Sequence, residues 1–311
     1  MKKRTLSIMA GAAIGASMLM GTAVMAEDLG QIAIIAPAAE HGWMAGVTYY
    51  AEQRCEELGL DYKTYHSENV NDQANNIEDA LAAGCAAVVM LPQNDEVSVA
   101  AQAILDENIP LVVFDRKIDN YTAFIAGNNG SMGEASAVEI GEALGGAGIV
   151  AVENVPSSGS VSTERVDGFK AVMAEKYPEI ELVDFTAEGF SQEQGLTAAT
   201  DLLTANPQID AIFSIDDESS IGFLQAIAEQ GRTDIKMMSG GGGAQSYFQE
   251  IDANEDIALF SATYSPMMMR DAVDLAVAIL NGEEVETETV KETTIVKKDN
   301  VADFLDENSP Y

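Results

Sequence analysis

Short, continuous apolar runs recur along this chain and alternate with segments of helical period. Two of these runs, "AAVVML" at 86–91 and "PLVVF" at 110–114, contain no polar residue. A strand without polar alternation is buried on both faces, which requires helices on both sides of a mostly parallel sheet. The pattern therefore predicts an α/β fold of the doubly wound type.

The same alternation predicts the other elements. Strands are predicted at 31–36, 61–66, 86–91, 110–114, 123–126, 148–153, 181–185, 210–215, 235–239 and 257–262. Helices are predicted at 43–58, 73–83, 95–107, 131–144, 162–176, 192–205, 218–230 and 265–281.

A faint internal repeat indicates how these elements are grouped. Residues 81–104 align with 202–227, because each stretch reads as helix end, turn, apolar strand, acidic loop and a helix ending in "QAI". Two copies of one α/β unit predict two similar lobes. Ligands of such sheets bind beyond the carboxyl ends of the strands, so two facing lobes would share one cleft.

The N-terminus has the pattern of a secretory signal peptide. A basic start, "KKR", precedes an apolar stretch to about Met20, and "AVMA" places small residues before a cleavage site after Ala26. This stretch is too short and wrongly flanked for a membrane anchor. No cysteine lies near the cleavage site, so we expect an exported, periplasmic protein without a lipid anchor.

Charge and cysteine content limit the partners. The net charge of −35 repels phosphate backbones, which argues against binding to nucleic acid or to anionic membranes. The two cysteines, Cys55 and Cys85, would be exported together, which permits one disulfide. Two free buried thiols are the alternative. Two Cys and two His at scattered spacings do not predict a zinc site.

One strand end carries two adjacent opposite charges. Asp115 and Arg116 directly follow the apolar run ending at Phe114. A carboxylate accepts hydrogen bonds and a guanidinium donates them, so the pair suits hydroxyl groups, which do both. The sequence therefore predicts either a site for a neutral polyol or an ordinary solvated strand end.

The order of several motifs resembles the periplasmic sugar-binding proteins of ABC transporters, in particular the ribose-, galactofuranose- and autoinducer-2-binding group. The motifs are "IAIIAP", "AAVVMLP", "IPLVVFDR", "ERVDGF" and "DAIFSIDDESSIG", and the resemblance extends from about residue 30 to the C-terminus. It implies a type I fold with two Rossmann-like lobes, a three-segment hinge and a ligand in the interlobe cleft. The expected lobes are 27–127 plus 265–290 and 128–264 plus 291–311.

The resemblance also implies ligand-binding positions. Asp115 and Arg116 match the hydroxyl-binding pair, Arg165 a second sugar-binding arginine, and Phe190 and Trp43 the aromatic residues that stack on the sugar. The residues alone also allow Trp43 and Phe190 to be core and Arg165 to be a surface charge.

Three further positions differ from the family pattern. The family often has asparagine at Asp216, aspartate near Gly241 and a polar residue, often glutamine, at Tyr264. The ligand is therefore expected not to be ribose. His41 lies beside the expected cleft, where it would either donate to the ligand or lie in a solvated loop.

We therefore expect a monomeric solute-binding protein that delivers a monosaccharide or similar small polyol to an ABC permease, without cofactor, metal or catalytic residues. The alternatives are a binding module for a chemoreceptor or sensor kinase and a sugar-processing enzyme. "GAGIVA" at 146–151 leads into a strand instead of opening a helix, so it does not predict a dinucleotide site.

Overall fold

The computed structural model describes residues 29–39 and 41–311. The signal peptide predicted at 1–26 lies outside the described residues. Within them, the strands are β1 (Ile32–Pro37), β2 (Tyr62–Ser67), β3 (Ala87–Met90), β4 (Leu111–Phe114), β5 (Ala123–Gly127), β6 (Ala147–Asn154), β7 (Glu179–Thr186), β8 (Ala211–Phe213), β9 (Met237–Gly242), β10 (Ala258–Thr263), β11 (Glu288–Lys291) and β12 (Ile295–Lys297).

The α-helices of the same residues alternate with these strands. They are α1 (Gly42–Leu58), α2 (Val70–Ala83), α3 (Ser98–Asp106), α4 (Asn129–Ala143), α5 (Ser160–Lys176), α6 (Gln192–Ala205), α7 (Asp217–Glu229), α8 (Gln245–Ala253) and α9 (Met268–Leu280). Helix α8 and strands β11 and β12 were not predicted from the sequence.

The strands form two six-stranded sheets with matching order. The first sheet reads β2-β1-β3-β4-β5-β11 and the second β7-β6-β8-β9-β10-β12. Neighbouring strands are parallel, except that β12 runs antiparallel to β10. The expectation of two α/β lobes, each with a mostly parallel sheet, is confirmed.

The chain passes between the sheets at three places among the described residues. It leaves the first sheet after Gly127, returns between Thr263 and Met268, and crosses again between Lys291 and Ile295. The first sheet thus includes β11 up to Lys291, one residue beyond the predicted segment 265–290. The division of the chain into the lobes 27–127 plus 265–290 and 128–264 plus 291–311 stays a prediction.

Helices cover both faces of the first sheet, as its continuous apolar strands require. On one face, Val47 of α1 and Val273 of α9 pack against Ile34. On the other face, Ile77 of α2 and Ile104 of α3 pack against Ile35. Full burial of each such side chain stabilises the fold by roughly 1.5–3 kcal/mol.

The two cysteines belong to these opposite faces, and the disulfide that was one of the two expected alternatives is wrong. Cys55 lies on α1 in the cluster of Ile34, whereas Cys85 precedes β3 in the cluster of Ile35. Both are buried free thiols. The first sheet lies between them, so the sulfur atoms cannot approach bonding distance.

We expect two thiols per chain to react with a thiol reagent in denaturant without reductant, and neither to react in the folded protein. Burial raises the pKa of the Cys55 thiol to about 12, and burial also raises the pKa of Cys85, so little reactive thiolate forms. A denatured, non-reduced sample without titratable thiols would contradict the assignment.

Candidate functional site

A cavity of about 740 Å³ lies between the two lobes, at the carboxyl ends of strands from both sheets. Cavities of this size hold small organic ligands. All nine residues predicted from the sequence line it: His41, Trp43, Asp115, Arg116, Arg165, Phe190, Asp216, Gly241 and Tyr264. The structure brings them together, while their contact with a ligand stays a prediction.

Asp115 follows β4 in a left-handed backbone conformation, with φ of 61°. Such a φ is uncommon outside glycine, although aspartate tolerates it better than most residues. Its backbone N–H donates to the Ile125 carbonyl at 2.9 Å, which fixes the turn. Its carboxylate accepts a short hydrogen bond from Tyr264 Oη. Asp115 therefore lies in the cavity wall and is not an ordinary solvated strand end.

Burial raises the pKa of Asp115, and the Tyr264 hydrogen bond and the charges of Arg116 and Arg165 oppose this rise. Arg116 is more exposed, and its Nη1 donates to the backbone carbonyls of Pro92 and Gln93. The strand end thus places an acceptor and a donor side by side on the cavity wall.

Tyr264 connects both lobes at the junction between β10 and α9. Its backbone N–H donates to the Gly242 carbonyl at 2.8 Å, and its own carbonyl accepts from Trp43 Nε1 at 2.7 Å. The ring packs so close to Gly127 that a Cβ there would overlap it. Where the resemblance implied a polar residue such as glutamine, the phenol of Tyr264 donates to the Asp115 carboxylate.

Arg165 lies on α5 and is only 7% exposed. Its Nε donates to Asn129 Oδ1 at 2.9 Å and its Nη1 to the Ile215 carbonyl at 2.6 Å. Its guanidinium carbon lies 5.3 Å from the centre of the Tyr264 ring, a cation–π distance. These contacts fix the side chain in the cavity wall. Arg165 is therefore not a surface charge.

The aromatic side chains of the cavity come from both lobes. Trp43 lies nearly parallel to Phe114, with ring centroids 5.9 Å apart and an interplanar angle of 13°. Phe190 meets the His41 ring edge-on at 6.2 Å. Trp43 and Phe190 are both only partly buried, so each combines core packing with a face on the cavity.

Acidic groups cluster at the start of α7. Asp216 is the N-cap, and its Oδ1 accepts from the Ser219 backbone at 2.8 Å. Burial raises its pKa well above the usual value, and neighbouring carboxylates add to the rise. Buried Asp217 accepts from the backbone N–H of Gly243 and Ala244, which fixes the loop after β9. Burial raises the pKa of Asp217 to about 6.

The resemblance implied an aspartate near Gly241, and the surroundings of this glycine leave no room for a side chain. A Cβ at this position would lie 2.5 Å from the Ile215 carbonyl oxygen and 3.0 Å from the terminal methyl of Met132. No larger residue fits without moving the backbone. The acceptor that the resemblance implied at this position is therefore absent, while the Asp216 carboxylate belongs to the cavity wall.

Other cavity residues were not predicted from the sequence: Ser67, Glu68, Gln93, Ser157, Ser158, Glu188, Gln194 and Tyr311. Ser67, Glu68 and Gln93 end or follow strands of the first sheet, a position that could have identified them. No local pattern connects Tyr311, the last residue of the chain, with the cavity.

Glu153 is a buried acid at the end of β6 that does not line the cavity. Its Oε2 accepts from Ser214 Oγ and from the Ile215 backbone, both at 2.9 Å, while Oε1 has no partner. Burial raises its pKa to about 7, above the ordinary 4.5. The folded state therefore binds the proton more tightly than the unfolded chain does, and the associated stability is lost as pH rises from about 4.5 through 7.

We expect Glu153→Gln to remove this pH dependence. Glutamine keeps the acceptor for Ser214 and Ile215 and carries no charge. The unfolding free energy of the native protein, relative to the variant, should fall by roughly 2–3 kcal/mol between pH 4.5 and 8. Denaturant unfolding of both proteins across this range measures it, and a constant difference would contradict the assignment.

No helix in the described part of the chain is long and apolar enough to cross a membrane. No group of three or more His, Cys, Asp or Glu residues there has the arrangement of a metal site.

Comparison with known protein families gives one match that covers most of the chain. A family model described as periplasmic binding protein domain matches residues 32–284. Among curated proteins, a putative rhizopine-binding protein of Rhizobium meliloti is 28% identical, over 95% of this chain and 98% of its own length. The ribose import binding protein of Escherichia coli is 24% identical, over 92% and 96%.

Solved structures have the same fold. An ABC transporter solute-binding protein from Actinobacillus succinogenes with bound D-allose superposes with a TM-score of 0.81 at 21% identity, covering 88% of this chain and 99% of that one. A galactofuranose-binding protein gives a TM-score of 0.78 at 20% identity, covering 90% and 99%. At these identities the similarity establishes the architecture.

Proposed function

This chain belongs to the periplasmic binding protein family, and we propose that it captures a monosaccharide or similar small polyol between its lobes and delivers it to an ABC import permease. One observation carries the proposal. The adjacent residues Asp115 and Arg116 meet Arg165 and Tyr264, from two distant segments, on the wall of one cavity. There the Asp115 carboxylate is an acceptor beside donors. This arrangement matches hydroxyl groups, which donate and accept.

The aromatic residues support the same ligand class. Trp43 from the first lobe and Phe190 from the second present flat apolar surfaces to the cavity. A sugar ring has apolar C–H faces and polar edges, so rings above and below it complement hydrogen bonds around it. The curated and structural relatives include proteins described as binding ribose, D-allose and galactofuranose, which supports a sugar.

The cellular role follows from the family. We propose that the chain is exported, that the signal peptide is cleaved after Ala26, and that the mature protein acts as a monomer in the periplasm. Release of ligand to a permease requires the lobes to separate, and the three chain crossings between the sheets are the places where backbone rotation would allow it. Its function would be binding and release without chemical change of the ligand.

The test is the identity and stoichiometry of the ligand that the protein retains during purification. The protein would be purified without refolding, heated to release its ligand, and the supernatant analysed by mass spectrometry. We expect one polyol, which calorimetry then shows to bind to the refolded protein with one site per chain. Absence of any bound polyol, or conversion of the compound during incubation, would contradict the proposal.

A further inference from the structure

Residues 304–311, which we call the strap, run from the second lobe to the first. At the start of the strap, the Phe304 ring meets Phe248 of α8 edge-on, with ring centroids 6.1 Å apart. The Gln245 side chain, also on α8, donates to the Phe304 carbonyl at 3.0 Å and accepts from the Asp306 backbone N–H at 2.7 Å. Helix α8 packs against β10 of the second sheet. The start of the strap is therefore fixed to the second lobe.

The tip of the strap lies on helix α1 of the first lobe. Ser309 Oγ donates to the Tyr311 carbonyl at 2.6 Å, so it accepts the hydrogen bond from Tyr50 Oη, which lies 2.6 Å away. Tyr50 is only 4% exposed, whereas residues 305–308 between the two attachments are exposed. The strap thus joins the two lobes at its ends and not along its length.

Tyr311 extends from the tip into the space between the lobes. Its side chain is buried and belongs to the hydrophobic core of the second lobe. It also contacts α1, since a Cβ at Gly42 would lie 3.1 Å from its ring and a Cβ at Gly46 would lie 3.4 Å from its own Cβ. These glycines and Tyr50 are spaced four residues apart, on one face of α1. Tyr311 also lines the ligand cavity, so a separation of the lobes on that side would move it away from α1.

A second cavity, of about 500 Å³, lies under the strap. It is bounded by four residues of the strap and by the crossing segment between the sheets: Phe304, Asp306, Ser309, Tyr311 and residues 265–268. The strap is therefore not packed against this crossing segment along its length. Because Tyr311 belongs to the core of the second lobe, the tip can stay with that lobe when it leaves α1.

We propose that the strap is a latch: the hydrogen bond from Tyr50 to Ser309 and the packing of Tyr311 on α1 hold the lobes together around the ligand and slow its release. This rests on the proposed function, since it assigns control of release at the same cleft. Neither Tyr50 nor Ser309 lines the ligand cavity. Both are therefore positioning residues, which act through closure of the lobes and not through contact with the ligand.

The test measures ligand release and lobe separation in one labelled protein. Donor and acceptor dyes on Val99→Cys and Glu193→Cys report the distance between the lobes by energy transfer. Both positions are exposed, on α3 and α6, while the native Cys55 and Cys85 are buried. The probe is the compound that heat releases from the purified protein. Stopped-flow mixing over a range of its concentrations gives the association and dissociation rate constants.

We expect Tyr50→Phe to raise the dissociation rate constant about 3- to 10-fold, as the loss of one hydrogen bond allows. The association rate constant should stay unchanged, because the bond forms as the lobes close on a ligand that has already entered. Ser309→Ala should accelerate release at least as much, since it also removes the donor to the Tyr311 carbonyl. The double variant should release no faster than Ser309→Ala alone, because both substitutions remove the same bond.

Tyr62→Phe is the matched control. The Tyr62 hydroxyl donates to Glu56 of α1 at 3.1 Å, so this bond lies within the first lobe. Its loss should leave both rate constants unchanged. Equal acceleration in Tyr62→Phe and Tyr50→Phe would show a general effect on the first lobe and would overturn the latch.

The outcomes distinguish the latch from the proposed function. A dissociation rate constant that Tyr50→Phe leaves unchanged or lowers would overturn the latch alone. A loss of unfolding stability without faster release would do the same, because the bond would then be only structural. If the protein retains no polyol, the proposed function fails, and energy transfer in the empty protein decides. Lower transfer in the Tyr50→Phe, Ser309→Ala double variant than in the native protein supports the latch, and equal transfer overturns it.

Discussion

Arg165→Met is expected to weaken ligand binding by roughly 100- to 1000-fold. Methionine keeps an unbranched apolar chain of similar length but removes the guanidinium of a residue that lines the cavity. The substitution also leaves the Asn129 side chain and the Ile215 carbonyl without their donor. Ile215 directly precedes Asp216, so this part of the cavity wall would be affected as well. Calorimetry with the ligand identified from the purified protein measures the loss.

The matched control is Lys170→Met, which removes another cation from α5. Lys170 forms a surface salt bridge with Asp184 at 2.7 Å and does not line the cavity. Its removal should change the dissociation constant less than about twofold, since surface pairs contribute little. An Arg165→Met protein that is folded by circular dichroism and binds ligand with native affinity would contradict the site.

Gly133→Ala is expected to destabilise the protein by roughly 3 kcal/mol or more. Gly133 lies on α4, where the helix meets α5 with its backbone in direct contact. An added Cβ would overlap the Arg165 carbonyl and approach the Phe169 nitrogen to 2.7 Å. Both are backbone atoms, so relief requires α5 to move as a whole. Because α5 carries Arg165, ligand binding should weaken together with stability.

Gly130→Ala, on the same helix, is the control. The nearest atom to its Cβ is Asn128 Oδ1 at 3.4 Å, an ordinary contact. Alanine there should be neutral or stabilise by up to about 1 kcal/mol, from its higher helix propensity. Denaturant unfolding measures both variants. Equal stabilities of the two would show that α4 and α5 are not packed as closely as described.

Much of the fold was predictable because several strands are short, continuous apolar runs that alternate with segments of helical period. All ten predicted strands are present within two or three residues at their ends, and so are the predicted helices. Strands β11 and β12 lack this signal, since "ETVK" and "IVK" are short and largely polar or exposed. Helix α8 has apolar Tyr247, Phe248 and Ile251 at helical spacing, a signal that the preceding glycine run obscured.

The site was predictable where a residue follows a strand or matches a family motif. Asp115 satisfied both conditions, and Arg165 and Phe190 only the second. The contacts that define their environment could not be predicted, because they join residues far apart in sequence. Tyr264 and Asp115 are 149 positions apart, and Tyr311 reaches the cavity from the chain terminus. The buried state of Glu153 likewise depends on packing that no local pattern encodes.

The central claim is that a small polyol binds between the lobes, in contact with Trp43 and Asp115. Trp43 is the only tryptophan in the chain, and its Nε1 donates to Tyr264, which holds Asp115. The decisive measurement starts with protein from which the retained ligand has been removed. The same ligand is then titrated back while intrinsic tryptophan fluorescence is recorded. We predict a saturable change in Trp43 emission with one site per chain, at the affinity found by calorimetry. A ligand that binds by calorimetry and leaves Trp43 emission unchanged would contradict this location of the site.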